Sequence, residues 1–300
     1  METIEFYTPP ENGIEQLALT IDLNPAQSLS ISSGDQQQID KDWQERGYTR
    51  SSPLGTLLDV CYNPRTRETK LNYILTEYKV YSSLAFPALS DTEEKLSSQL
   101  RNSMRASAIG CAVETIDQKI IIQRRKEGLI SGGMLDSAAA GMMVYTPSTQ
   151  KLDWQSQTYE KLARELSLTD LTKINSVKPT AVFSSRGKTH IPAAKGYFTA
   201  CHSGMVSSLA CVNLSYDTIT QIFNKKEVHE IIGIDKKDLA EFIIEHTASG
   251  NRNFCGDGAA TMLSLLPEKV FYQTIEKINQ KNNLKVYVGS LKNATFTEKS

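Results

Sequence analysis

Apolar and polar positions fall into blocks that set out the elements of the chain. The run 119–123 within "QKIIIQRRKEG" (118–128) is centred on three isoleucines and reads as a strand buried on both faces. It is paired across a Thr-Ile-Asp-Gln turn with the strand "ASAIGCAVE". "TAVFSS" (180–185), "VSSLACVNL" (206–214) and "EVHEIIGI" (227–234) read as further strands. Leu152, Tyr159, Leu162 and Leu166 recur near a period of 3.6 and predict a helix over 153–167. "KKDLAEFIIEH" (236–246), "GAATMLSLL" (258–266) and "EKVFYQTIEKINQ" (268–280) are helices, the last two parted at Pro267.

The first hundred residues have a different texture. Residues 17–32 read as two short strands around Asn24-Pro25, and 36–47 as a short helix stopped by Gly47. "TLLDVCYN" and "KLNYILTEYKVY" flank a charged turn and predict a hairpin. Ser90 with Glu93 three residues later is the capping-box pattern and opens a helix that separates this part from the rest. The pattern predicts a small β-rich N-terminal subdomain over 1–102, a larger domain over 103–290 and a flexible tail over 291–300. The class is α/β (α+β), a layered sandwich with a mixed sheet.

Composition narrows the function more than it names it. The 300 residues carry a formal net charge of −1, which gives no support for a nucleic-acid partner. The N-terminal "METIEFYTPPENG" lacks the basic and apolar regions of a secretory signal, and no run of 18 residues is apolar, so no membrane span is expected. The expected address is cytoplasmic; an export signal of another kind at either end would not show in composition. Five cysteines without a CxxC pair make a disulfide or zinc framework unexpected, and buried free thiols are expected instead. Cys201 and His202 are adjacent on a strand and point to opposite faces, so they do not form a dyad.

Three stretches together resemble the Nudix family over about residues 103–283. "AIGCAVETIDQKIIIQRR" looks like the paired strands ending in Arg-Arg, "GMLDSAAAGMM" like the Gly-rich lead-in, and "YEKLAREL" like the helix bearing the Arg-Glu-aliphatic core. "EVHEIIGIDKKDLAEFI" is similar to the late strand and helix of many members. Upstream, "SSPLGTLLDV" and "LNYILTEYKVYSSL" are similar to a segment preceding the core in some UDP-sugar-type diphosphatases. The resemblance implies a Nudix α/β/α sandwich and a pyrophosphohydrolase of nucleoside diphosphate-X substrates, UDP-sugars among them, with Mg²⁺ or Mn²⁺ as cofactor if it is catalytic. Small residues allow close backbone approach to a pyrophosphate, and carboxylates gathered on one helix face would hold the metal.

Carried over residue by residue, the resemblance implies catalytic roles for Arg164 and Glu165, and phosphate contacts from Arg124, Arg125, Gly132, Gly133 and Gly141. Glu165 would ligate metal; candidates to assist it, chosen from the carboxylates present and not from the resemblance, are one of Glu160, Glu227 or Glu230, with Asp170 and Asp257 further carboxylates to consider. Each has a plainer reading: Glu160 as an i,i+4 partner of Arg164, Glu227 and Glu230 as solvated charge, Glu165 as a partner for Arg164 or a loop amide. The arginines would otherwise end a strand in water, and the glycines would otherwise make a tight turn. Arg186, Lys188 and His190 form a second basic loop, for an anion or as an ordinary connection.

The box itself departs from the family. Its other metal-binding glutamates should stand at 156, 168 and 169, where this chain has Ser156, Leu168 and Thr169. Leu171 replaces the closing glycine, and "VYTPSTQKL" is inserted before the helix. Two functional classes follow: a hydrolase with a rearranged metal site and weak or no ordinary activity, or a non-catalytic module that binds a nucleotide-type small molecule or a protein.

Overall fold

Strand β5 (Ala106–Glu114), buried almost throughout, is the axis of the molecule. The structure is a computed structural model. It describes residues 2–8, 18–63, 65–66, 68–85, 95–127, 132–190, 198–248, 253–281 and 284–289, with the backbone alone at 187–190, 198–202 and 281. One edge of β5 pairs in parallel with β10 (Phe198–Val212) over its whole length. Its other edge is shared by three partners in succession. β3 (Pro53–Asn63) joins at Ala106, β8 (Ala139–Met142) at 108–111, and β6 (Lys119–Arg125) at Val113 and Glu114. β6 carries β7 (Leu135–Ser137) and β11 (Val228–Asp235), both antiparallel to it.

Beyond β10 the sheet continues through β9 (Ile174–His190) to β1 (Glu2–Phe6) and β12 (Leu284–Val288). Beyond β3 it continues through β4 (Glu68–Glu77) to β2 (Ala18–Ser28). Among the described residues these twelve strands form one mixed sheet.

Helices cover both faces, as the apolar strands require. On one face, α4 (Trp154–Leu166) sets Leu162 and Leu166 on Cys111, Val113 and Ile121. On the other, α6 (Leu239–Thr247), α7 (Gly256–Leu263) and α8 (Glu268–Lys281) set Ile243, Met262 and Phe271 on Ala112, Ile120 and Ile122. Alternation along β5 and β6 sends neighbouring residues to opposite layers. The chain is therefore an α/β/α arrangement around a mixed sheet. Among the described residues no helix is long and apolar enough to cross a membrane.

The N-terminal part brings β1 to β4, α1 (Ser33–Glu45), α2 (Tyr78–Ala85) and α3 (Ser98–Ser103). Leu57, Leu71 and Tyr73 share an apolar cluster with Ile109, Met143, Val182 and Val206, so residues on both sides of position 102 build one core.

Several local outcomes differ from the pattern, each for a physical reason. The two strands expected around Asn24-Pro25 are one strand, with a register shift where the Asn24 side chain accepts from the Ala26 amide at 3.1 Å. "YKVY" turns into α2 because Ser51 Oγ accepts the Lys79 amide at 3.0 Å and caps the turn. Residues 135–142, part of the expected Gly-rich loop, form β7 and β8. The capping-box residues 90–93 and the tail lie outside the described residues. Cys111 and Cys255 are buried free thiols as expected, and Cys61 is exposed.

Candidate functional site

The end of β6, the start of β7, the start of β11 and the second half of α4 meet at one end of the sheet, and most of the sequence-marked residues lie there. The helix is capped by Asp153, whose carboxylate accepts from the Ser156 amide at 3.0 Å and the Ser156 hydroxyl at 2.7 Å. Ser156, where the Nudix resemblance calls for a glutamate, is thus the partner of the Asp153 cap. The helix ends on Ser167 in the left-handed conformation, φ 57°, and the Leu168 amide donates back to the Leu162 carbonyl at 3.3 Å. Leu168 folds into the core, 2% exposed, and Thr169 lies outside the helix. The helix face that would extend a carboxylate cluster stops before positions 168 and 169.

Glu165 is 3% exposed and its carboxylate is fully engaged. Gln123 Nε2 donates to it at 2.8 Å, Arg164 Nη2 at 2.9 Å and the Ala140 amide at 3.4 Å. Burial pushes its pKa up, against the pull of Arg125, Gln123 and Arg164. Arg125 pairs with Asp136 at 3.1 Å, and Asp136 also accepts the Ser137 amide at 2.7 Å. Burial works to discharge Arg125, and the charges of Asp136 and Glu165 more than offset it, leaving its pKa raised.

The other marked residues resolve one by one. Arg124 projects to the opposite face of β6 from Arg125, where it pairs with Glu230 at 3.0 Å and donates to the Gly133 carbonyl at 3.1 Å. Gly133, φ 79°, makes the β6–β7 turn, a conformation that suits glycine. Gly132 is buried in the same turn. Gly141 lies under the Lys161 side chain. Glu160 is exposed, and among the described residues it forms no ion pair with Arg164, which turns to Glu165. Asn224 holds the turn that carries Glu227 against α4, its amide donating to the Glu165 carbonyl at 3.0 Å.

Asp170 caps a short 3-10 turn through Thr172. Asp257, at the start of α7, accepts from Ser185 and from Ser203 at 3.2 Å; burial, then the Glu2 and Asp136 charges, help push its pKa up to about 7. Arg186 is exposed; the side chains of Lys188, His190, Cys201 and His202 lie outside the described residues.

Three neighbours of the marked residues were not marked from sequence: Gln123, Asp136 and Lys161. Period-two reading from Arg125 reaches Gln123 on the same face, and one helical turn back from Glu165 reaches Lys161. Asp136 carried no such signal, because β7 has only three residues.

A divalent cation does not fit this arrangement. Mg²⁺ needs oxygen ligands, and the two carboxylates here are already taken, Glu165 by an amide and a guanidinium and Asp136 by Arg125, with Lys161 close by. Among the described residues no three His, Cys, Asp or Glu side chains converge to hold a metal.

No protein-family model and no curated protein matches the chain. Solved structures do align with it. DR0079 from Deinococcus radiodurans is 15% identical over 52% of this chain and 80% of its own, with a TM-score of 0.36. A Nudix hydrolase from M. smegmatis, RenU, is 12% identical over 53% and 82%, with a TM-score of 0.33. MutT protein from Methanosarcina mazei Go1 is 12% identical over 58% and 94%, with a TM-score of 0.28. Superpositions this loose leave the site's own geometry to carry the functional reading.

Proposed function

We propose that this chain is a Nudix-like scaffold that binds an anionic, nucleotide-type small molecule and does not carry out ordinary metal-dependent diphosphate hydrolysis. The observation that supports this is the state of Glu165: the only glutamate left from the box is buried, bonded to Gln123 and Arg164, and flanked by Arg125. Ser156 is spent on a helix cap, and Leu168 on the core. Among the described residues no ligand set gathers for a metal that would activate water and neutralise a leaving phosphate. What remains beside Glu165 is Lys161 and the partly exposed Arg164, and an ammonium and a guanidinium suit phosphate oxygens.

The test is a panel of nucleotide sugars including UDP-sugars, ADP-ribose and dinucleotides, with Mg²⁺ and with Mn²⁺. Phosphate or nucleoside-monophosphate release is expected to stay at the buffer rate for the wild-type chain and for E165Q. A thermal shift with one class of nucleotide, without turnover, is the expected companion result. Turnover that E165Q abolishes would instead make the chain a rearranged Nudix-type enzyme, with UDP-sugars or a related class as substrate.

A further inference from the structure

We infer that the Lys161 ammonium, beside the Arg164 guanidinium, receives the oxyanion of a phosphate or diphosphate ligand directly, without a divalent metal. The inference deepens the binding reading above and rests on it.

Lys161 stands one helical turn before Glu165, on the face of α4 that looks onto β8. Its side chain lies across Gly141. A Cβ at position 141 would sit 2.8 Å from the ammonium nitrogen and 3.0 Å from the carbon before it. The glycine is therefore the seat of the lysine. This gives the small residue in the lead-in stretch a role other than direct approach to a pyrophosphate.

The ammonium is half-buried, and among the described residues no hydrogen bond or ion pair reaches it. The carboxylate one turn away is taken by Gln123, Arg164 and the Ala140 amide. Arg164 adds a like charge, and Arg125 another from β6, while the Glu165 and Glu160 charges pull the other way without bonding to the ammonium. Burial, followed by the Arg164 charge, holds the Lys161 pKa below its ordinary value. A partly desolvated cation without a partner is unfavourable, and an anion in contact relieves it. Arg164, three residues on along the same helix, is 42% exposed along its side chain, so it is partly open to solvent. A point charge and a planar fork side by side suit a tetrahedral oxyanion. They also repel a divalent metal from the same face.

The test is calorimetry of the full chain with inorganic pyrophosphate in excess EDTA, for the wild type, K161Q and K161R. Wild type is expected to bind without metal. K161Q should weaken binding about ten-fold or more, as loss of a charged hydrogen bond does, and K161R should keep most of it. Unchanged melting of the variants shows that they fold. Lysine acetylation of the wild-type chain, read by mass spectrometry, needs no variant: pyrophosphate should protect Lys161. Absence of binding, binding only when Mg²⁺ replaces EDTA, binding indifferent to K161Q, or Lys161 left unprotected would each overturn the inference. Metal-free binding that ignores Lys161 would sink this inference alone, whereas metal-dependent turnover of a dinucleotide would sink the functional reading beneath it.

Discussion

A carboxylate facing two guanidinium groups and an ammonium has its charge answered by the protein, whereas one among other carboxylates draws in a metal. Glu165 belongs to the first kind; Asp257 has carboxylate neighbours and answers them by holding its proton more tightly. Asp257 is held by two serine hydroxyls and feels the charges of Glu2 and Asp136. Its folded-state pKa of about 7 lies above the ordinary carboxylate range, so the native chain holds the proton more tightly than the unfolded one. The stability linked to that proton is fully present below the unfolded value and is lost as pH rises through about 7. Thermal melts should show wild type losing ground to D257N between pH 5 and pH 8; parallel curves for the two would contradict this. At this scale the sequence was partly legible. Glu165, Arg125 and Arg164 do meet. That Arg124 and Arg125 face opposite layers was implicit in strand alternation. That Asp136 pairs with Arg125 was not legible, since it depends on a short strand with no pattern of its own.

At the scale of elements, α4 was the clearest signal, because its apolar stripe is regular and its start is capped. Its end was legible only to within a residue or two, and that margin matters here. Termination at Leu166, with Leu168 folded back, is what removes positions 168 and 169 from the helix. Leu162 is fully buried against the β5–β6 face, so L162A should cost about 2–5 kcal/mol in urea unfolding with an unchanged slope. A loss below about 1 kcal/mol would mean that the helix is not packed as described. β7 and β8 were invisible for the opposite reason. β7 is only Leu-Asp-Ser, and the alanines and glycine of β8 are weak strand formers, so neither carries a pattern of its own. A Cβ on Gly258 of α7 would meet the Asp136 Cα at 2.7 Å, which shows how closely α7 approaches β7.

At the scale of the whole molecule, the layered α/β class followed from alternating strands and helices, but the span of the sheet did not. β1 pairs with β9 and β12, across most of the chain, and no local pattern announces such partners. The division between 1–102 and 103–290 stands as a proposal, with a shared apolar cluster joining the two parts. The sheet serves the site by bringing four distant segments to one end, where, among the described residues, Arg124, Arg125 and Arg164 are each paired with a carboxylate and Lys161 is not. Whether that end holds a cation or an anion is the central question. Mn²⁺ titrated into the full chain and followed by electron paramagnetic resonance answers it most directly. The account predicts that wild type takes up no more Mn²⁺ than E165Q does. Uptake by wild type that E165Q removes would contradict it and restore Glu165 as a metal ligand.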